Sequence, residues 1–429
     1  MPFTPASRVS TFGTTIFAEM THLADEHQAI NLSQGFPDFD GPSVVKDAAL
    51  AAIRAGDNQY AISSGQPALR RAIAAHARRF YGQTVDPDTE ITVTSGATEG
   101  LFSTTLGLVN PGDEVIIFEP FYDGYVPNVI MAGGLPRFVP LRPAQHPVRN
   151  EVKSKDVRRA QSALSTTEGS KDGGAEIEWA FDPAELAAAF NDRTRMIVVN
   201  TPHNPTGKVF TEAELTLIAD LCRKWNVIAL SDEVYEHIVF DGTRHVRLAQ
   251  LPGMAERTVT ISSHGKTFSF TGWKIGWAIA PPDLTLGLRR AHQFVAFASG
   301  TPFQAAAVVA LGLDDEYYHA LGADYQSKRD FLASVLLDAG FKVSLPQGTY
   351  FIMADFTALG PSVAGQVFDD DVTFCRWLTA EVGVAAIPPS AFYSDEHKPL
   401  GRSWARFAFC KKQETLEYAA ERLGKLRKM

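Results

Sequence analysis

Short apolar runs rich in β-branched residues recur through the middle of the chain: Ile91–Thr94, Val115–Phe118, Met196–Val199, Val227–Leu230, Thr258–Ile261 and Lys274–Ala280. Several are apolar almost throughout, as strands buried on both faces are. Helical periodicity lies between them. Gln66–Phe80 carries Leu69, Ile73, His76 and Phe80 at 4, 3, 4 spacing, one stripe of an amphipathic helix. Glu212–Trp225 puts Leu215, Ile218, Cys222 and Trp225 on one face, and Thr211 with Glu214 forms a capping-box pattern at its start. Strand, helix, strand in this rhythm predicts right-handed crossovers and an α/β architecture with a mostly parallel central sheet. The first forty residues read as a helix followed by a loop-like segment, Asn31–Asp40. Val148–Glu178 is polar and aperiodic. Structureless loops of that length are uncommon inside compact domains. The segment is read as a flexible surface insertion, with a partner-binding or regulatory element as the other reading. Past Pro302 the chain becomes more helical, then returns to strand-like runs at Tyr350–Asp355 and Arg406–Cys410. That shift predicts a second domain built from the C-terminal third.

Composition narrows the class. At 429 residues the chain is long enough for two or three domains. Its 45% hydrophobic and 21% charged residues are ordinary for a globular protein and exclude a coiled coil or a mostly disordered chain. The net charge of -9 argues against nucleic acid as the main partner. No run approaches the roughly 18 consecutive apolar residues of a membrane helix, and the first thirty residues lack the apolar core of a signal peptide. Cys222, Cys375 and Cys410 make neither a metal spacing nor a disulfide framework. The expectation is a cytoplasmic protein without membrane or nucleic-acid partners.

Three of the runs end in unusual polar residues. Met196–Val199 leads into NTPHNPTGK, Val227–Leu230 into SDEVY, and Thr258–Ile261 into SSHGKTFSFTGWK. Ligands of open parallel sheets bind outside the carboxyl ends of the strands, so these three ends read as one site. Competing motifs fail. There is no GxGxxG, HExxH, CxxC or GxSxG, and Gly265-Lys266-Thr267 lacks the earlier glycine of a P-loop because position 260 is Thr260. A lysine, a carboxylate and several phosphate donors together suit pyridoxal 5'-phosphate. Its aldehyde forms a Schiff base with a lysine amine, its ring nitrogen needs an anion to stay protonated, and its phosphate needs N–H groups, hydroxyls and a cation.

On these motifs the sequence resembles the class I/II aminotransferases of the aspartate aminotransferase fold. Within them it is similar to the branch holding kynurenine (glutamine transaminase-like) and methionine aminotransferases. The matching strings run in order along nearly the whole chain: NLSQGFPDF, NQY, TSGATEGLF, GDEVIIFEPFYDGY, NTPHNPTGKVF, SDEVYE, SSHGKTFSFTGWKIGW and WARFAF. The resemblance implies a pyridoxal-phosphate-dependent transferase fold of type I. A large cofactor-binding domain spans 45–310, with the polar insertion at 148–178, and a smaller α+β domain is formed by 1–44 with 311–429. It implies Lys266 as the Schiff-base and catalytic residue, and Lys274 and Ser263 as phosphate-binding groups. Asp232 matches the partner of the ring nitrogen. Tyr235 and Asn204 match hydrogen-bond donors to the phenolic oxygen. Asn204 also fits a turn before Pro205. Gly96, Ala97 and Thr98 sit where a helix N-terminus would receive the phosphate. Tyr122, rather than its neighbour Phe121, aligns with the ring-stacking aromatic. Arg406 resembles the arginine that grips the substrate carboxylate as a bidentate pair, Gly35 brings backbone to that carboxylate, and Asn204 also serves there. Phe17 and Phe36 are candidates for the side-chain pocket. Tyr60 aligns with a tyrosine that reaches the phosphate of the neighbouring subunit, which implies a homodimer with shared active sites.

The implied reaction is a two-stage exchange. An L-amino acid of methionine, glutamine, aromatic or kynurenine type gives its amino group to the cofactor, and a 2-oxo acid then takes it. A cysteine S-conjugate β-lyase would use almost the same residues. A non-catalytic binding module is the reading from another class, and the complete Lys, Asp, Tyr, Asn and Arg set argues against it.

Overall fold

The computed structural model describes residues 3–10, 12–146, 176–360, 363 and 365–428. Seven strands form the main sheet: β1 (Ile91–Ser95), β2 (Glu114–Glu119), β3 (Leu135–Pro140), β4 (Thr194–Asn200), β5 (Ile228–Asp232), β6 (Thr258–Ser263) and β7 (Ile275–Ile279). Their spatial order is β1-β7-β6-β5-β4-β2-β3. All pairings are parallel except those of β7, which runs antiparallel to β1 and β6. The exception follows from chain length. Only a short segment separates β6 from β7, too little for a parallel crossover. Every residue of β2, β5, β6 and β7 is buried, as the continuous apolar runs predict for a sheet covered on both faces.

The helices that cover the sheet also match their sequence signals. Pro67–Tyr81 buries Leu69, Ile73 and His76, and Glu212–Trp225 carries the full capping box between Thr211 and Glu214. A second, three-stranded antiparallel sheet consists of β8 (Lys342–Ser344), β9 (Phe351–Asp355) and β10 (Trp404–Ala408). The long helix Asp315–Ala339 and the helix Gln413–Leu423 pack with it around one apolar cluster that includes Leu332, Leu336, Phe341, Phe407 and Leu416. Ile30–Asn31 pairs in parallel with Val384–Ala385, which ties the N-terminal segment to this C-terminal part.

One expectation needs correction. Of the supposedly aperiodic segment 148–178, Glu176–Glu178 belong to a strand, Glu176–Ala180, that pairs antiparallel with Arg142–His146. Ile177 and Trp179 alternate with glutamates there, the two-residue period of a strand. Trp179 is buried and donates from Nε1 to Ser344 Oγ at 3.0 Å, pinning the hairpin to β8. The remainder of the segment lies outside the described residues. All three cysteines are free and buried. Among the described residues no helix is long and apolar enough to cross a membrane.

Candidate active site

The ends of β4, β5 and β6 are neighbours in the sheet. Asn200 on β4 sits opposite Asp232 on β5, and Asp232 opposite Ile261 on β6. Outside these ends opens a cavity of about 410 Å³. Lys266, two residues into the helical turn after β6, lines it together with Asp232, Asn204 and Arg406.

On one side the cavity meets the N-terminus of the helix Gly96–Leu108, whose first amides have no partner within the helix. Gly96 has φ +71, a conformation that glycine adopts without penalty, and a Cβ there would press on the Lys274 side chain. Gly276 on β7 allows the same close approach, since a Cβ on it would lie 2.5 Å from the Gly96 carbonyl carbon. Lys274 itself is left-handed at φ +53, uncommon for a residue with a side chain. Its Nζ donates to Thr98 Oγ1 at 3.2 Å. Ala97 and Ser263 complete this corner, which therefore gathers a cation, two hydroxyls and free amides.

The opposite wall belongs to the smaller sheet. Arg406, on β10, is buried, donating from Nη1 to Asn204 Oδ1 at 3.1 Å and from Nη2 to the Ser33 carbonyl at 2.9 Å. Its guanidinium lies over the rings of Phe351, Phe17 and Phe392 at 4.2, 5.2 and 5.2 Å. No carboxylate makes an ion pair with Arg406 among the described residues, and its buried Nε has no hydrogen-bond partner. Burial pulls its pKa down to about 10. Such a guanidinium fits an arriving anion.

Asp232 is equally buried. Tyr125 donates its hydroxyl to Oδ2 at 2.7 Å, and the Val234 amide donates to Oδ1 at 3.3 Å. Burial pushes the carboxyl up to about 6, against those two bonds and the charge of Lys266. Lys266 is pushed down to about 8, again chiefly by burial, with Cys410 and Asp232 opposing. Both groups are therefore poised to change protonation near neutrality. Lys266 Nζ donates to the Tyr350 hydroxyl at 2.9 Å and lies 3.4 Å from the Gly35 carbonyl oxygen.

Of the expected site residues, Gly35, Phe17, Phe36, Gly96, Ala97, Thr98, Tyr122, Asn204, Asp232, Tyr235, Ser263, Lys266, Lys274 and Arg406 all line this one cavity. Tyr122 faces it while Phe121 packs into the core against Phe138. Tyr60 is the exception. It is 87% exposed and lies outside the cavity, edge-on to Phe297 at 5.5 Å. Sequence reasoning missed Tyr125, Asn200 and Tyr350. Tyr125 stands three residues after Tyr122, across a turn in which its amide donates to the Tyr122 carbonyl at 3.1 Å. Asn200 Oδ1 accepts the Asn204 amide, a bond inside the loop that no spacing reveals.

Comparison with known proteins agrees with this geometry. The family model for aminotransferase class I and II matches residues 27–423. A kynurenine–oxoglutarate transaminase of Dictyostelium discoideum is 42% identical over 99% of this chain and 97% of its own length. The solved structure of an N-succinyldiaminopimelate aminotransferase from Mycobacterium tuberculosis superposes with TM-score 0.86 at 43% identity, covering 98% of this chain and all of that one. An Escherichia coli structure reported to have a methionine aminotransferase function gives 0.85 at 40% identity, over 99% and 100% of the two chains. With the sheet, the cavity and the motifs in agreement, this chain belongs to the class I and II aminotransferases, enzymes that use pyridoxal phosphate to move amino groups between amino acids and 2-oxo acids.

Proposed function

We propose that Lys266 is the covalent anchor and proton-transfer base of this aminotransferase, that Asp232 holds the cofactor ring, and that Arg406 holds the carboxylate common to its substrates. The observation that carries this reading is that a buried carboxylate, Asp232, a buried guanidinium with an unbonded Nε, Arg406, and a half-buried amine, Lys266, converge on one cavity. The fit to pyridoxal phosphate rests on their chemistry. A buried carboxyl at about 6 becomes a stable anion once a protonated ring nitrogen faces it. Lys274, Thr98, Ser263 and the amides of Gly96 and Ala97 would take the phosphate, Tyr122 the ring face, and Tyr235 with Asn204 the phenolic oxygen. The cofactor, when bound, supplies an aldehyde and an electron-withdrawing ring. The chain supplies the rest. Arg406 fixes the substrate by its carboxylate, with Gly35 and Asn204 alongside. Lys266 Nζ, held down to about 8 by burial, would take the proton from the substrate Cα and deliver it to the carbon that was the cofactor's aldehyde. Phe17 and Phe36 line the side of the cavity where the substrate side chain would lie.

Donors of methionine, glutamine, aromatic or kynurenine type suit that side, in keeping with the names of the relatives. The division into 45–310 and 1–44 with 311–429 follows the two sheets, with the Ile30–Asn31 pairing joining the outer parts. A homodimer accounts for Tyr60. Its exposed phenol stands beside exposed Ile62 and Phe297, an apolar face that a second copy would cover while receiving Tyr60 at its own phosphate. A cytoplasmic location agrees with three free cysteines.

The test is a panel of amino donors, including methionine, glutamine, phenylalanine, kynurenine and N-succinyldiaminopimelate, against several 2-oxo acids. Conversion of the bound cofactor to its amine form is followed by absorbance. Borohydride reduction should leave the tag on the Lys266 peptide. A tag elsewhere refutes the anchor, and release of pyruvate and ammonia from a cysteine S-conjugate without any 2-oxo acid would favour a β-lyase.

A further inference from the structure

Tyr350 immediately precedes β9 and is fully buried. Its hydroxyl has three polar neighbours: the Gly35 carbonyl, Lys266 Nζ and the Tyr235 hydroxyl. It donates to the Gly35 carbonyl at 2.6 Å and accepts from Lys266 Nζ at 2.9 Å. Nζ itself is 3.4 Å from the same carbonyl, so hydroxyl, amine and carbonyl form a closed triangle. The Tyr350 ring is fixed independently of this triangle, edge-on to Tyr235 at 5.1 Å and to Phe351 at 4.9 Å. Gly35 belongs to the segment that lines the substrate side of the cavity. The hydroxyl thus lies between the amine and that segment, in a region where burial disfavours any lone charge.

From this geometry we propose that Tyr350 is a positioning residue: its hydroxyl is the resting partner of the Lys266 amine whenever that amine is free, and it links the amine to the Gly35 segment. A freed lysine side chain has four rotatable bonds and would otherwise sample the cavity. Held at Tyr350, it returns to one place between turnovers. The hydroxyl also favours the ammonium form, because it accepts from Nζ while its own proton is committed to Gly35. The other groups facing Nζ are Tyr235, Asp232, Cys410, Lys274 and Arg406. Asp232 and Cys410 act with the hydroxyl and Lys274 with Arg406 against it. This inference rests on Lys266 being the anchor, but the contact itself can be read without the cofactor.

Tyr350→Phe removes the hydroxyl and keeps the packed ring. In the cofactor-free full chain, the rate of Lys266 modification by trinitrobenzenesulfonate is followed against pH by peptide mass spectrometry. The midpoint should fall by about one unit in Tyr350→Phe, the scale of one hydrogen bond to a charged group. In the loaded enzyme, Cα–H cleavage in a single turnover should slow by about tenfold, with donor Kd changed less than twofold. An unchanged modification midpoint overturns the proposal, whatever the turnover. Normal single-turnover rates with a shifted midpoint would equally overturn the positioning role. If borohydride fails to tag Lys266 in the unmodified protein, the reading of the site is what fails, and the titration still reports on the Tyr350 contact.

Discussion

One six-residue string, SDEVYE at 231–236, serves two opposite environments. Asp232 and Tyr235 face the cavity. Glu233 and Glu236 face the other way, into a buried network behind β5. There, Arg247 ion-pairs with Glu236 at 2.6 Å through Nη2 and with Glu233 at 3.2 Å through Nε, stacks on Tyr81 at 3.8 Å, and donates to Gln83. His245 reaches Glu233 at 3.0 Å, Ser262 donates to Glu236, and His76 and His237 meet through their Nε2 atoms at 2.8 Å. The carboxylates and the guanidinium of this network are all ion-paired, although Arg247 Nε, like Arg406 Nε, makes no hydrogen bond. In the cavity, by contrast, Arg406 has no ion-pair partner among the described residues, and Lys266 rests on neutral oxygens. Both regions bury charge at high expense. The network settles it within the fold, whereas the cavity leaves it for molecules that come and go.

That contrast can be broken at its strongest point first. Lys266→Ala should abolish transamination and the borohydride tag while leaving the Tm near that of the parent, and appreciable turnover in the purified variant would remove Lys266 from the mechanism. On the network side, Arg247→Met strands two buried carboxylates. It should lower unfolding stability by about 3–5 kcal/mol by the usual cost of breaking a buried pair. The activity per folded molecule should stay close to normal. Urea denaturation with and without the variant checks this, and a stable but inactive Arg247→Met would erase the distinction between the two regions. Arg406→Ala should act in the reverse sense, taking about 2–5 kcal/mol from kcat/KM, mainly through KM, with cofactor absorbance preserved. Equal KM values would contradict the carboxylate grip.

The smallest effect concerns pH. Burial holds His76 down to about 4 and His237 to about 3, below the 6.5 of an exposed imidazole. Between those limits the unfolded chain binds more protons than the folded one, so stability is full above pH 6.5 and falls as the pH drops toward 4. The slope is up to about 1.4 kcal/mol per pH unit for each imidazole. His76→Gln should flatten it. Calorimetric Tm values measured from pH 7 to 4.5 test this, and parallel curves for the two proteins would assign the acid sensitivity elsewhere.

Much of this was legible in the sequence because buried parallel strands leave apolar runs and their ends carry the chemistry. Asp232, Lys266 and the Asn200–Lys208 loop could be placed at neighbouring strand ends from the rhythm alone. The antiparallel turn of β7 could not, since an apolar strand has no direction in its pattern. The Glu176–Ala180 strand was hidden because it is short and half polar. Tyr350 was read only as the start of a strand, since its partner Gly35 is more than three hundred residues away and no local period links them. Tyr60, expected as a site residue, stands apart from the cavity within one chain.

The reversal between β6 and β7 has a consequence of its own. Lys266 and Lys274 reach the same cavity along one short stretch of backbone, so the span between them is fixed locally and owes little to how the larger sheet assembles. Lengthening or trimming that stretch would shift both cations at once, whereas changes in the long crossovers leave their spacing alone.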